Sequence, residues 1–215
     1  MWMNAAHAVE LSDVTRNPAE PEQLRVASPI PRCGAGYGTR LPVLPQAPAL
    51  YRRYDDSVAH GSPELLEAIH IAATRMRQDW PEADALVVGR LNQPGGQRNK
   101  WLMHQDGLDG DIGIYTGNGR QAAFGVEATP ATLDAEHTWH LISAFMSTGR
   151  VQWILLDQSL IATVSHWAVA HGELTPEEAA RMFPGPGVSG FLVGGTVMHA
   201  TGHKNHMHVH MVCDG

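Results

Sequence analysis

The chain has 215 residues, 43% of them hydrophobic, so one sizeable domain can bury its own core. Its formal net charge is −7 with only 17% charged residues, which argues against a dedicated binder of nucleic acid or anionic membrane, since both need clustered Lys and Arg. No apolar run approaches the roughly 18 residues that a transmembrane helix requires.

Residues 1–28 are polar without a sustained period and read as an N-terminal tail, leaving 29–215 as a single domain. Met1–Ala8 ends like a small-residue cleavage site but lacks the basic and apolar regions of a signal peptide, so either export uses another route or the N-terminus is trimmed. Seven of the fourteen prolines lie between Pro18 and Pro48, which implies an extended strap. Ser62-Pro63 opens a helix, with Ser as N-cap and Pro in the first turn. Leu65, Ile69, Ala72, Ala73, Met76 and Trp80 mark its buried face. Ala85–Val88 reads as a short core strand and 90–100, rich in Gln, Asn and Gly, as a loop at the rim of a groove.

Ile112–Tyr115 follows as a strand and Gly117-Asn118-Gly119 as a turn. Trp139, Ile142, Phe145 and Met146 describe a helix that ends at Gly149. Val151–Leu156 is a second apolar strand, and Leu160, Ile161, Val164, Trp167 and Ala168 form the next helix. Thr175-Pro-Glu-Glu178 is a capping box for a short helix ending near Phe183, and Pro184-Gly-Pro-Gly187 breaks it. A final strand carries histidines. Helices and strands mix without regular βαβ alternation, so the expected fold is α+β around a small antiparallel sheet.

Two segments carry chemistry. Five of the thirteen histidines, His199, His203, His206, His208 and His210, fall within twelve residues. His206, His208 and His210 alternate with Met207 and Val209, so on a strand all three imidazoles share one face. Imidazole is both the commonest zinc ligand and the side chain that titrates near neutrality. Upstream, His104 precedes Asp111 by seven positions, with Gly107 and Gly110 permitting a loop that brings the two onto one ion. Asp109 rivals Asp111 at this stage. His70, His137, His140, His166 and His171 lie in helical regions and read as surface or core, as do most Met and Trp residues.

In combination, His104-x6-Asp111 and His206-Met-His208 resemble the peptidase group that unites lysostaphin-type enzymes, D-Ala-D-Ala metallopeptidases and hedgehog domains. The run Met103-His104-Gln105-Asp106-Gly107-Leu108-Asp109-Gly110-Asp111-Ile112 is similar to that of the penicillin-insensitive murein endopeptidases. So is the downstream set His199, Gly202, His203, His206, His208, Val209 and Cys213. Weaker similarity spans about residues 33 to 213, including Tyr37-Gly-Thr39, Gly95-Gly96 and Leu133-Asp134…Trp139.

The resemblance implies a fold like the hedgehog and D-Ala-D-Ala-peptidase domains. It implies one Zn²⁺ on His104, Asp111 and His208, with water in the fourth position, and His206 and His203 as acid–base groups. His206 is the favoured base, His199 is structural or groove-lining, and His210 lines the groove. It also implies a Cys33–Cys213 disulfide, peptidoglycan peptide stems as partner, and a periplasmic or secreted setting. The implied activity is hydrolysis of peptide cross-links, D-alanyl–meso-diaminopimelate above all. The alternatives are L-alanyl–D-glutamate cleavage, carboxypeptidase action, or a zinc-containing binding domain without catalysis. Trp101, Met103 and His210 depart from the family's His, Ser and Arg, all beside the cleft. Replacing Arg by His removes a permanent cation suited to clamp a carboxylate.

Overall fold

The computed structural model describes residues 41–94, 104, 106–122, 124–185 and 195–212. The tail, most of the Pro-rich strap, Gly95-Gly96, Trp101, Met103 and both cysteines lie outside the described residues, and with them the expected Cys33–Cys213 pairing.

Eight strands are described: β1 (Tyr51–Arg53), β2 (Leu86–Val88), β3 (Asp109–Gly113), β4 (Tyr115–Thr116), β5 (Arg120–Gln121), β6 (Val151–Leu156), β7 (Thr196–His199) and β8 (His206–Met211). Among the described residues there are four α-helices, α1 (Pro63–Asp79), α2 (Ala135–Met146), α3 (Gln158–Ala170) and α4 (Pro176–Met182). The expected caps are in place. Ser62 Oγ accepts from Leu65 N at 3.2 Å. Thr175 and Glu178 bond each other's backbone N–H reciprocally, at 3.2 and 2.8 Å, so two of the orphan donors at the start of α4 are satisfied. Trp80 lies just past the end of α1 as a half-buried cap rather than on its buried face. None of these helices is long and apolar enough to cross a membrane.

The α+β class holds, but the sheet is neither small nor purely antiparallel. Six strands form it in the order β1-β2-β3-β8-β6-β7. Its centre, β2-β3-β8-β6, is antiparallel, whereas β1 pairs with β2 and β6 with β7 in parallel. Parallel neighbours need a crossover. Helix α1 supplies one between β1 and β2; α3 and α4 supply the other between β6 and β7. Strands β1 and β7 carry no pattern of their own long enough to be recognised in isolation. A separate hairpin, β4–β5, turns through Asn118 and Gly119 with φ of 58° and 73°, the left-handed backbone that Asn and Gly tolerate.

Strand alternation divides the sheet into two unlike faces. Ile112, Met207, Val209, Ile154, Leu156 and Val197 are fully buried against Leu65, Ile69, Ile142, Phe145, Leu160 and Val164 of the helices. Among the described residues the opposite face carries a small apolar cluster, Trp153, Leu155 and Met198. The helices therefore cover one face, and the chemistry-bearing side chains project from the other.

Candidate metal centre

The β3–β8 register decides which groups meet. Asp109 pairs with His210, Asp111 with His208, and Gly113 with His206, and directly opposed residues on one face are the closest cross-strand neighbours. Strand β3 begins at Asp109, three residues earlier than the Ile112 expected from the sequence. Asp111 is therefore held mid-strand rather than at the end of a turn. The turn before it passes through Gly107, at φ 85°, and brings His104 back over the strand. His104 is buried, and its ring meets that of His208 edge-on at 4.7 Å.

Three imidazoles converge on one carboxylate oxygen. Asp111 Oδ1 lies 3.0 Å from His208 Nδ1, 3.3 Å from His104 Nε2 and 3.6 Å from His206 Nε2. His104, Asp111 and His208 each offer a ligand atom within 4.8 Å of the others and form a buried group that could hold a metal ion. The donor set fits one. His208 Nε2 faces Asp109 Oδ1 at 2.8 Å while its Nδ1 faces Asp111. A neutral imidazole has a single N–H and cannot donate to both carboxylates, so with its N–H on Nε2 the ring needs a positive charge at Nδ1, either a proton or a metal cation.

Without metal that charge is a proton. Burial opposes it, but the hydrogen bonds to Asp109 and Asp111 prevail and raise the His208 pKa to about 9. Burial likewise pushes the aspartates up, yet the His208 and His210 hydrogen bonds bring Asp109 down to about 2. Contacts with His104 and His208 overcome burial at Asp111 in the same way and hold its carboxyl well below the ordinary range.

His206 and His203 behave oppositely. Burial dominates at His206 and lowers its pKa to about 4, with His203 and His208 pushing the same way against the attraction of Asp111. Burial also lowers His203. Asn205 Oδ1 accepts from His206 Nδ1 at 2.6 Å, and the Thr201 carbonyl accepts from His203 Nδ1 at 3.0 Å. Both rings therefore carry their proton on Nδ1 and keep Nε2 as a free base near neutral pH. The two rings lie 4.9 Å apart.

The remaining expected residues separate. His199 is exposed at the end of β7, where Nδ1 accepts from Gln158 N at 2.9 Å and caps α3; it holds the fold and touches neither carboxylate. His210, partly exposed, donates to Asp109. Of the helical histidines, His70 and His137 are buried, while His166 and His171 are exposed.

Two aromatic residues at the site escaped sequence reasoning. Trp153, read as part of an apolar core strand, stacks on His210 at 4.5 Å and 7° and on His208 at 5.5 Å and 15°. The alternation of β6 could have flagged it, since Trp153 and Leu155 point away from Ile154. Phe124 stacks on His206 at 5.7 Å and reaches the exposed Tyr54 at 5.2 Å.

Gly89 makes room for Phe124. A Cβ at this position would enter the Phe124 ring and lie 3.1 Å from the Asp111 carbonyl oxygen. Gly89→Ala is therefore expected to displace Phe124 from His206 and to cost about 1–3 kcal/mol, measured by urea unfolding. Wild-type stability would show that the ring moves aside freely.

Compared with known proteins, the chain matches no family model and no curated protein. Its function has to be read from the residues themselves.

Proposed function

We propose that the chain is a zinc-dependent peptidase that cuts peptide cross-links of bacterial peptidoglycan, D-alanyl–meso-diaminopimelate bonds foremost. The observation that carries this reading is the pairing of a three-residue metal group with two neutral imidazoles at its edge. A set of two imidazoles and one carboxylate suits zinc, and three protein ligands leave a position open for chemistry. A purely structural zinc site is usually closed by four protein ligands. The motif likeness to penicillin-insensitive murein endopeptidases, His104-x6-Asp111 with His206-Met-His208, supplies the substrate class, and with it a periplasmic or secreted setting.

When bound, zinc supplies Lewis acidity that polarises a peptide carbonyl and makes water more acidic. The chain's own residues do the rest. His206 Nε2, unprotonated and 3.6 Å from Asp111 Oδ1, takes a proton from water and passes it to the leaving amine; His203, beside it, is the second such group or, when it carries a proton from solvent, stabilises the developing negative charge. The low basicity of both rings keeps them ready to accept a proton at neutral pH. Stacking on Phe124 fixes the plane of His206, and the hydrogen bond from its Nδ1 to Asn205 leaves the Nε2 lone pair facing Asp111.

Zinc-loaded protein incubated with purified cross-linked muropeptides is expected to release monomers, read by mass spectrometry. No cleavage of any cross-link type by fully metallated protein would sink the enzyme reading and leave a zinc-containing binding domain. Cleavage of the L-alanyl–D-glutamate bond, or release of a terminal residue alone, would keep the peptidase and reassign the bond.

A further inference from the structure

Asp109 is an acid that the proposed chemistry leaves without work, yet it is almost fully buried, at 4% exposure. Its Oδ1 accepts two hydrogen bonds of 2.8 Å, from His208 Nε2 and His210 Nδ1. Burying a carboxylate is costly unless it is paired, so its place on the site face asks for a reason. That reason lies in His208. The last torsion of a histidine side chain is broad and roughly two-fold, so backbone register alone cannot choose which nitrogen faces Asp111. Trp153 lies flat over the ring and fixes its plane, but a stack does not distinguish a ring from its flipped form. Asp111 marks Nδ1 directly only while no ion lies between them, whereas a partner at Nε2 makes that choice with or without the metal.

We infer that Asp109 is the positioning residue of the metal centre: through one oxygen it holds His208 with Nδ1 turned to Asp111, and it anchors that ring to the His210–Trp153 stack. The inference rests on the zinc reading for the identity of the ion but not for the orientation. His210 steadies the carboxylate by donating to the same oxygen, and the β3–β8 register that sets Asp109 opposite His210 makes this possible. A hydrogen-bonded carboxylate on the far nitrogen of a ligand imidazole also raises its basicity and fixes its tautomer. His210 thus gains a role: where the resembled family has an arginine, this chain places an imidazole that completes the support of a ligand.

The test compares wild type with Asp109→Ala and Asp109→Asn, reading zinc affinity by chelator competition and the His208 ring by ¹⁵N NMR. Wild type is expected to show one tautomer, protonated at Nε2 and metal-bound at Nδ1. Asp109→Ala should bind zinc roughly 10- to 100-fold more weakly and lose the single tautomer. Asp109→Asn keeps an acceptor oxygen and should recover most of the spectrum. If the alanine protein fails to fold, Asp109→Leu, which fills the space without an acceptor, carries the same expectation. Unchanged affinity and spectrum in the variant lacking an acceptor overturn the inference while leaving the peptidase reading intact. A wild-type chain that binds no zinc overturns both.

Discussion

His206→Ala is expected to lower peptide-bond cleavage by roughly 10²- to 10⁴-fold, the usual worth of a positioned proton-transfer group, while one zinc per chain stays bound. The two halves of this expectation come from different distances. His206 Nε2 stands 3.6 Å from Asp111 Oδ1, farther than His208 Nδ1 at 3.0 Å or His104 Nε2 at 3.3 Å. His206 also lies outside the three-residue group whose ligand atoms are mutually within 4.8 Å. Its removal should cost proton transfer and spare the metal. Steady-state kinetics on a defined cross-linked muropeptide, with zinc content by elemental analysis, provide the check. Loss of zinc together with activity would make His206 a ligand and return the base role to His203. Retained activity would do the same to the base assignment while leaving the ligands alone.

Metal affinity should climb with pH, by about tenfold per unit up to a pH near 9. His208 carries a proton in the metal-free chain up to a pKa of about 9, and the metal must displace it. From about pH 6 to about pH 8 the gain is therefore about 100-fold, measured by chelator competition corrected for the chelator's own protonation. A flat profile would mean that His208 gives up no proton.

The same groups set the pH dependence of metal-free stability. The folded pKa of His208 lies above its ordinary 6.5, so its contribution is complete below about pH 6.5 and is lost as pH rises through about 9. The shift corresponds to about 3 kcal/mol. His206 runs the other way: its folded pKa of about 4 means that its contribution is present above pH 6.5 and lost as pH falls towards 4. Stability of the metal-free protein should therefore peak near pH 6.5 and decline on both sides, as urea unfolding across the range would register. Saturating zinc should remove the alkaline decline, because the ion takes the place of the proton on His208.

The helices were the most legible part of the fold. α1, α2, α3 and α4 follow from apolar spacing, helped at α1 and α4 by Ser62 and the Thr175–Glu178 box, each within a few residues of the turn it starts; the Asp134 cap of α2 emerged only in the structure. The strand period of His206–Met211 was equally plain, because alternation is a local property of five or six residues. Strands β1 and β7, of three and four residues, were not legible. Each borrows its conformation from a neighbour across a crossover, so nothing in its own sequence distinguishes it from loop. That omission made the sheet look smaller and more antiparallel than it is.

The candidate site divides along the same line. Local pattern was enough to place His206, His208 and His210 on one face, to bracket a glycine turn with His104 and Asp111, and to start two of the helices behind them at Ser62 and Thr175. Spacing could not choose between Asp109 and Asp111, nor tell His199 the cap from His208 the buried imidazole. Strand pairing set Asp111 opposite His208 and Asp109 opposite His210, and packing across the sheet laid Trp153 and Phe124 over the rings. The reason is physical. Side-chain alternation is fixed by the backbone geometry of one strand, whereas register is fixed by pairing between strands 97 residues apart, where burial of Ile112, Met207 and Val209 on the helix-covered face selects one alignment and forbids the slip that would turn the histidines inward.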